Sequence, residues 1–152
     1  MASKTIGVAI DAADAAEALS SILKAEEVGV PAAWLTSGGG GGDSLTVIAA
    51  AAAQTQRIML GTSIVQTWSR HPVTVAQQVQ VISALAPARF RLGVGPGHRQ
   101  GMESTFGTDF RAPLGHLTEY IRILKGLFQC GTIDFDGRFY TAHAKIAQPV
   151  EV

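Results

Sequence analysis

Hydrophobic positions along the chain gather into four runs, beginning at Ile6, Ala32, Ile58 and Phe90, each followed by a stretch with apolar residues at helical spacing. Uninterrupted apolar runs of this kind belong to strands covered on both faces, as in parallel sheets. Ile6–Ile10 predicts the first strand. After Asp11, the positions Ala15, Ala18, Leu19, Ile22 and Leu23 predict an amphipathic helix, and Gly29 suits its C-terminal cap. Ala32–Leu35 predicts a second strand, weak in β-propensity because two alanines precede Trp34; it runs through Thr36 and Ser37 into the glycines at 38–42. Asp43 or Ser44 can cap the next helix, with Leu45, Ile48, Ala49 and Ala52 on one face.

Ile58–Val65 predicts the third strand, and the small trio Gly61-Thr62-Ser63 in its middle marks a place where something can approach closely. Pro72 suits the first turn of a third helix, where its missing N–H is not needed, and Val75, Ala76, Val79 and Ile82 form the inward stripe. Phe90–Gly95 predicts the fourth strand, leading into Pro96-Gly97-His98-Arg99. A fourth helix is expected from Leu117, Ile121, Leu124 and Phe128. Asp136-Gly137 predicts a tight hairpin turn between Ile133–Phe135 and Arg138–Tyr140.

Four strand–helix pairs in series predict an α/β fold: half of a (β/α)8 TIM barrel, four parallel βα units plus a β-hairpin insertion, as one domain over residues 1–152. A complete barrel needs roughly 250 residues and assembles its active site at the C-terminal ends of its strands. Function is therefore expected to depend on what completes the barrel. A half barrel leaves strand faces and two sheet edges open, which favours association, so a homo-oligomer or a complementary C-terminal half is the expected macromolecular partner.

Charge and cysteine usage exclude several classes. Lysine plus arginine and aspartate plus glutamate balance at 12 each, so no long-range field draws in nucleic acid or an anionic membrane, and a small organic substrate is the expected ligand. The lone Cys130 cannot form an internal disulfide, the run from Ile6 stops at Asp11 short of signal-peptide length, and no apolar run approaches the roughly 20 residues of a membrane span. A cytoplasmic location is expected. The histidines at 71, 98, 116 and 143 have no metal-site spacing, and no metal is expected.

Other catalytic patterns fail on detail. A dinucleotide fingerprint built on Gly93 and Gly95 would need a third glycine where His98 stands, and neither a Walker lysine motif nor a Gly-x-Ser-x-Gly elbow occurs. The glycines at 38–42 could cradle phosphate through backbone amides, although a mobile loop is the favoured reading. The less favoured alternative for Thr62 and Ser63 is a polar layer inside the barrel, satisfied by neighbouring backbone. His71 reads as a helix-start residue, which leaves His98, beyond the fourth strand, as the better candidate to touch substrate or cofactor.

Leu60-Gly61-Thr62-Ser63-Ile64-Val65, then Arg70-His71-Pro72, then Arg89 through Arg99, resemble the luciferase-like monooxygenase family in order and spacing. His116-Leu117-Thr118-Glu119-Tyr120 and Phe135 through Tyr140 are similar to the same family's fourth helix and insertion. The resemblance covers the family's N-terminal half. It implies an oxidoreductase using FMN or the deazaflavin F420, held across the C-terminal ends of the strands, with a non-prolyl cis peptide matching Ser63-Ile64. It further implies that Thr62, Ser63 and Ile64 pack against the cofactor ring, with Thr36 and Ser37 approaching from strand two. Gly95, Pro96, Gly97 and the catalytic candidate His98 would approach from strand four. With FMN the expected reaction is monooxygenation by O₂; with F420, slightly favoured by the Gly95–Arg99 pattern, it is hydride exchange. A non-catalytic flavin-binding or interaction protein is the alternative.

Overall fold

The apolar runs pair side by side as the pattern requires. Strands β1 (Val8–Ile10), β2 (Ala32–Leu35), β3 (Met59–Thr62) and β5 (Phe90–Arg91) form a parallel sheet in the order β1-β2-β3-β5. Helices α1 (Ala15–Glu27) and α2 (Ser44–Ala52) provide the crossovers between the first three strands. The computed structural model describes residues 6–37, 42–147 and 149–150. It divides into two compact units: one comprises the chain up to Val65 together with Val81–Gly93, the other Gln66–Gln80 together with Val94–Glu151.

In the first unit each helix starts where a side chain caps it. Asp14 accepts the Glu17 N–H at 2.9 Å, and Asp43 accepts the Thr46 N–H at 2.9 Å. Gly29 takes the left-handed conformation (φ +84°) just past the end of α1. Ile22, Leu45, Ile48, Ala51 and Leu60 are buried, alongside Ala33 and Phe90. Since side chains alternate across a strand, Ala33, Leu60 and Phe90, in register, share this core-facing side. The opposite row is Ala9, Trp34, Gly61 and Arg91. The Trp34 indole lies over Gly61, where an added Cβ would collide with the ring, so the glycine is what lets the ring lie flat. The glycines at 38–41 fall outside the described residues.

Two polar clamps fasten the N-terminal edge of this sheet. Arg89 donates through Nη1 to Thr55 Oγ1 and the Ile58 carbonyl, both at 3.1 Å, and through Nη2 to the Thr55 carbonyl at 3.0 Å. Glu26 Oε1, near the end of α1, accepts the N–H groups of Gln56, Arg57 and Ile58 at 2.9, 2.6 and 2.9 Å. Burial works to raise the Glu26 carboxyl pKa, but these three amides, helped by the Arg57 charge, hold it below the ordinary value. Glu26→Ala is expected to lower stability by about 1–2 kcal/mol, since three amides lose a charged acceptor at a partly solvated site. Urea unfolding checks this; an unchanged midpoint would mean water replaces the carboxylate without loss.

The second unit contains β4 residue Gln66 (β4 is Val65–Gln66), a single 3₁₀ turn at Thr67–Ser69 and the first part of α3 (Pro72–Leu85). It continues with β6 (Val94–Gly95), α4 (Arg99–Phe106), α5 (Pro113–Cys130) and the antiparallel hairpin β7 (Thr132–Asp136) and β8 (Thr141–Lys145). Val75, Ala76, Val79 and Ile82 of α3 are buried as expected.

Four details depart from the sequence reading. The third and fourth runs are each broken, after Thr62 and after Arg91, instead of forming single strands. Helix α4 was not expected: its sequence RQGMESTF buries only Met102 and carries no apolar stripe. The inward face of α5 runs through His116, Tyr120, Ile123, Leu124 and Leu127, leaving Ile121 38% exposed. Finally, β8 begins at Thr141, because the amides of Arg138, Phe139 and Tyr140 turn to the Glu119 carboxylate at 2.9, 2.8 and 3.1 Å instead of entering the ladder.

Candidate functional site

The expected cofactor residues of the first unit gather at the C-terminal ends of β2 and β3. Leu35 stands in register with Thr62; Ser63 N–H donates to the Leu35 carbonyl at 2.7 Å, and Ser37 N–H donates to the Ile64 carbonyl at 3.3 Å. The Ser63-Ile64 peptide bond is cis, at the position the family resemblance implies. Thr62 is 1% exposed, and its hydroxyl both donates to the Gly93 carbonyl and accepts the Gly93 N–H, each at 2.9 Å. Its polar group is thus spent on the backbone, leaving its position as what it can offer a ligand. Thr36 and Ser63 are exposed, Ser37 and Ile64 half-buried, and the Ser37 and Ser44 hydroxyls share a hydrogen bond of 2.6 Å. No charged side chain stands in Leu35–Ser37 or Gly61–Val65, so these strand ends suit a neutral, planar group.

Gly95, Pro96, Gly97 and His98 come together on one loop of the second unit. Gly95 is buried, and Gly97 takes φ +73°, with its Cβ direction 3.4 Å from Gln66 Cγ and from Met102 Sδ. His98 occupies the N-cap position of α4, makes no side-chain capping bond and is exposed. Its imidazole is therefore available to a ligand.

An aromatic and histidine cluster in the same unit went unnoticed in the sequence. His116, which the sequence marks only as part of a family-like motif and as a histidine without metal-site spacing, is 4% exposed and stacks on Trp68 with ring centres 3.6 Å apart and planes 8° from parallel. Tyr140 Oη lies 2.6 Å from His116 Nε2 and 3.1 Å from the Thr67 carbonyl oxygen, and Thr67 Oγ1 lies 3.5 Å from His116 Nδ1. A neutral imidazole protonated at Nε2 satisfies all three contacts: Nε2–H donates to Tyr140, Tyr140 donates to the Thr67 carbonyl, and Thr67 donates to Nδ1. Burial favours that neutral form by pushing the His116 pKa down, against the opposing pull of the Glu119 charge. Trp68, His116, Phe139 and Tyr140, with Thr108, Asp109, Arg111 and Arg138, line a cleft of about 580 Å³.

Residues 1–151 match the luciferase-like monooxygenase family. The chain belongs to that family. Among luciferase-like relatives, the F420-dependent glucose-6-phosphate dehydrogenase of Kineococcus radiotolerans is 34% identical over 95 residues, a stretch covering 60% of this chain and 28% of that protein. The chain thus spans little more than a quarter of that relative. The fold matches the coenzyme F420 dependent tetrahydromethanopterin reductase of Methanopyrus kandleri with a TM-score of 0.79 at 20% identity, over 96% of this chain and 46% of the other. It also matches the oxygenating constituent of 3,6-diketocamphane monooxygenase of Pseudomonas putida, solved in complex with FMN, with a TM-score of 0.74 at 20% identity, over 82% of this chain and 37% of the other. The α/β fold of parallel strands and crossover helices is that of the luciferase-like TIM barrels, as expected from the sequence.

Proposed function

We propose that this chain supplies the N-terminal half of a flavin- or F420-dependent oxidoreductase of the luciferase-like family, acting on a small organic substrate. The observation that carries this reading is the uncharged cluster at the ends of β2 and β3, Thr36, Ser37, Thr62, Ser63 and Ile64, where Ser37 N–H donates to the Ile64 carbonyl and Ser63 N–H to the Leu35 carbonyl. Such a surface fits one face of a tricyclic ring; in the second unit, the loop Gly95-Pro96-Gly97-His98 is a candidate ligand contact in its own right. The F420-dependent relative favours F420, with FMN as the other candidate. When bound, the cofactor supplies hydride exchange, or in the case of FMN the activation of O₂; the chain's own part is to orient the ring and exclude water from it. Exposed His98, which makes no side-chain capping bond, is in this reading the candidate to contact the substrate.

Barrel closure is part of the proposal. Among the described residues the sheet ends at β1 and β5, whose outer edges have no strand partner, and a second copy or a separate C-terminal half would cover them. No helix of the described residues is long and apolar enough to cross a membrane. Native mass spectrometry with F420 and FMN added separately tests both parts. The expected result is an assembly larger than the monomer that retains one of the two cofactors. Failure of every assembly state to retain either cofactor overturns the reading.

A further inference from the structure

Donors and acceptors are out of balance in the cleft beside α5. Among its lining side chains, Asp109 is the only carboxylate, and it is held by Arg111, whose Nε donates to both Asp109 oxygens at 2.7 Å while Nη2 pairs with Oδ2. His116 and Tyr140 are committed to each other and to Thr67. Nearby, the Glu119 carboxylate is taken up by three backbone amides. On the donor side, Arg138 has no carboxylate partner among the described residues; its guanidinium lies 5.3 Å from the centre of the Phe139 ring. Arg111 Nη1 is left over from the pair with Asp109. Trp68 Nε1 and Thr108 Oγ1 are both shielded from water without a hydrogen-bond partner, an arrangement that native proteins rarely leave unexplained. The donors open to a ligand are thus the exposed guanidinium of Arg138 and Arg111 Nη1, and the lining holds no uncommitted carboxylate, so a complementary ligand brings the acceptors with it.

Its shape narrows the ligand further. Stacked Trp68 and His116, with Phe139 edge-on to His116 at 5.8 Å, make an aromatic wall, and a volume of about 580 Å³ lies within the ordinary range for small-molecule sites. We propose that this cleft binds a small planar organic anion, an aromatic ring bearing a carboxylate or phosphate, with the ring on the aromatic wall and the anion on Arg138 and Arg111. Guanidinium groups suit both anions because their N–H groups match two oxygens at once. The site lies near the strand-four loop within the same unit: Phe110 packs 5.3 Å from Trp68, and Arg99, next to His98, lies over the Phe110 ring at 5.6 Å. An occupant therefore touches a wall one aromatic ring away from the start of α4.

The test is a ¹H–¹⁵N spectrum of the full chain titrated separately with benzoate, phenyl phosphate, neutral benzamide and inorganic phosphate. Benzoate or phenyl phosphate is expected to shift the Trp68 indole N–H saturably, at least tenfold more tightly than benzamide or inorganic phosphate, a gap that would reflect use of both wall and rim. Whichever of the two binds more tightly identifies the anion. Arg138→Gln, at an exposed position whose folding the same spectrum reports, is expected to weaken binding about tenfold, while Lys24→Gln, at the exposed Lys24–Glu27 pair, leaves it unchanged. Absence of a saturable shift, equal binding of benzamide or inorganic phosphate, or equal weakening by both substitutions overturns the proposal.

Discussion

Gly93→Ala is expected to destabilise the first unit by about 1–3 kcal/mol, even though it adds a single methyl group. A Cβ at Gly93 would be driven into the carbonyl oxygen of Thr62. That oxygen is backbone, so it cannot swing away as a side-chain tip can. Moving the chain instead would disturb the two 2.9 Å bonds between Thr62 Oγ1 and Gly93 and the 2.8 Å bond from Val65 N–H to the Gly93 carbonyl. Thr62 is buried, so each of those groups would lose its partner without gaining water. Gly61→Ala is the informative comparison: there the obstacle is the Trp34 ring, a half-buried side chain that can tilt. Urea midpoints should rank wild type above Gly61→Ala and Gly61→Ala above Gly93→Ala. The reverse order would mean that the Thr62–Gly93 backbone yields more easily than the indole. If the proposed cofactor surface is right, Gly93→Ala should also weaken F420 or FMN binding, because Thr62 leads directly into Ser63-Ile64.

What the sequence revealed depended on how locally each feature is written. Strands β1, β2, β3 and β5 were legible because an apolar run needs no partner to be recognised, α1 because Ala15, Ala18, Leu19, Ile22 and Leu23 recur at helical spacing, and α2 because Asp43 caps it within three residues of itself. The breaks after Thr62 and Arg91 were not legible from propensity: Ile64, Val65 and Val94 are good strand formers, and only the Thr62–Gly93 exchange, between residues 31 apart, shows where the two runs meet. Helix α4 was invisible because a helix burying one methionine has no stripe to find. The site divides in the same way. Thr36, Ser37 and Thr62–Ile64 could be named because family motifs are contiguous, whereas the cleft draws Trp68, Thr108, His116 and Arg138 from four separate segments. His116 is the clearest loss: on a helical pattern a histidine counts as polar, yet stacking on Trp68 and bonding to Tyr140 let it sit in the core.

Glu119→Gln is expected to loosen the turn of the β7–β8 hairpin, at a cost of about 1.5–3 kcal/mol, because one carboxylate organises three consecutive amides. The approach is close enough that Gly137 is required beside it: a Cβ there would stand 2.6 Å from Glu119 Cδ. A glutamine keeps an acceptor oxygen but loses the charge, and its amide group brings donors toward a turn already rich in N–H groups. Burial works to raise the Glu119 pKa, yet the amides of Phe139, Arg138 and Tyr140, together with His116, bring it below the ordinary 4.5. A depressed folded-state pKa means that the stabilisation is complete above the unfolded value of 4.5 and is lost as pH falls through the lower folded value. The amide resonances of Arg138, Phe139 and Tyr140 should therefore titrate together with a midpoint below pH 4.5, and that titration should vanish in Glu119→Gln. His143, held above its usual value by its hydrogen bond to Asp134, also titrates in this hairpin, at higher pH, so the difference between wild type and variant is the quantity to read. A midpoint at or above 4.5, or three amides moving independently, would show that the carboxylate is not what holds the turn. Phe139 and Tyr140 also form part of the aromatic wall of the cleft, so a loosened turn should weaken benzoate or phenyl phosphate binding there while leaving the Thr62–Gly93 exchange untouched.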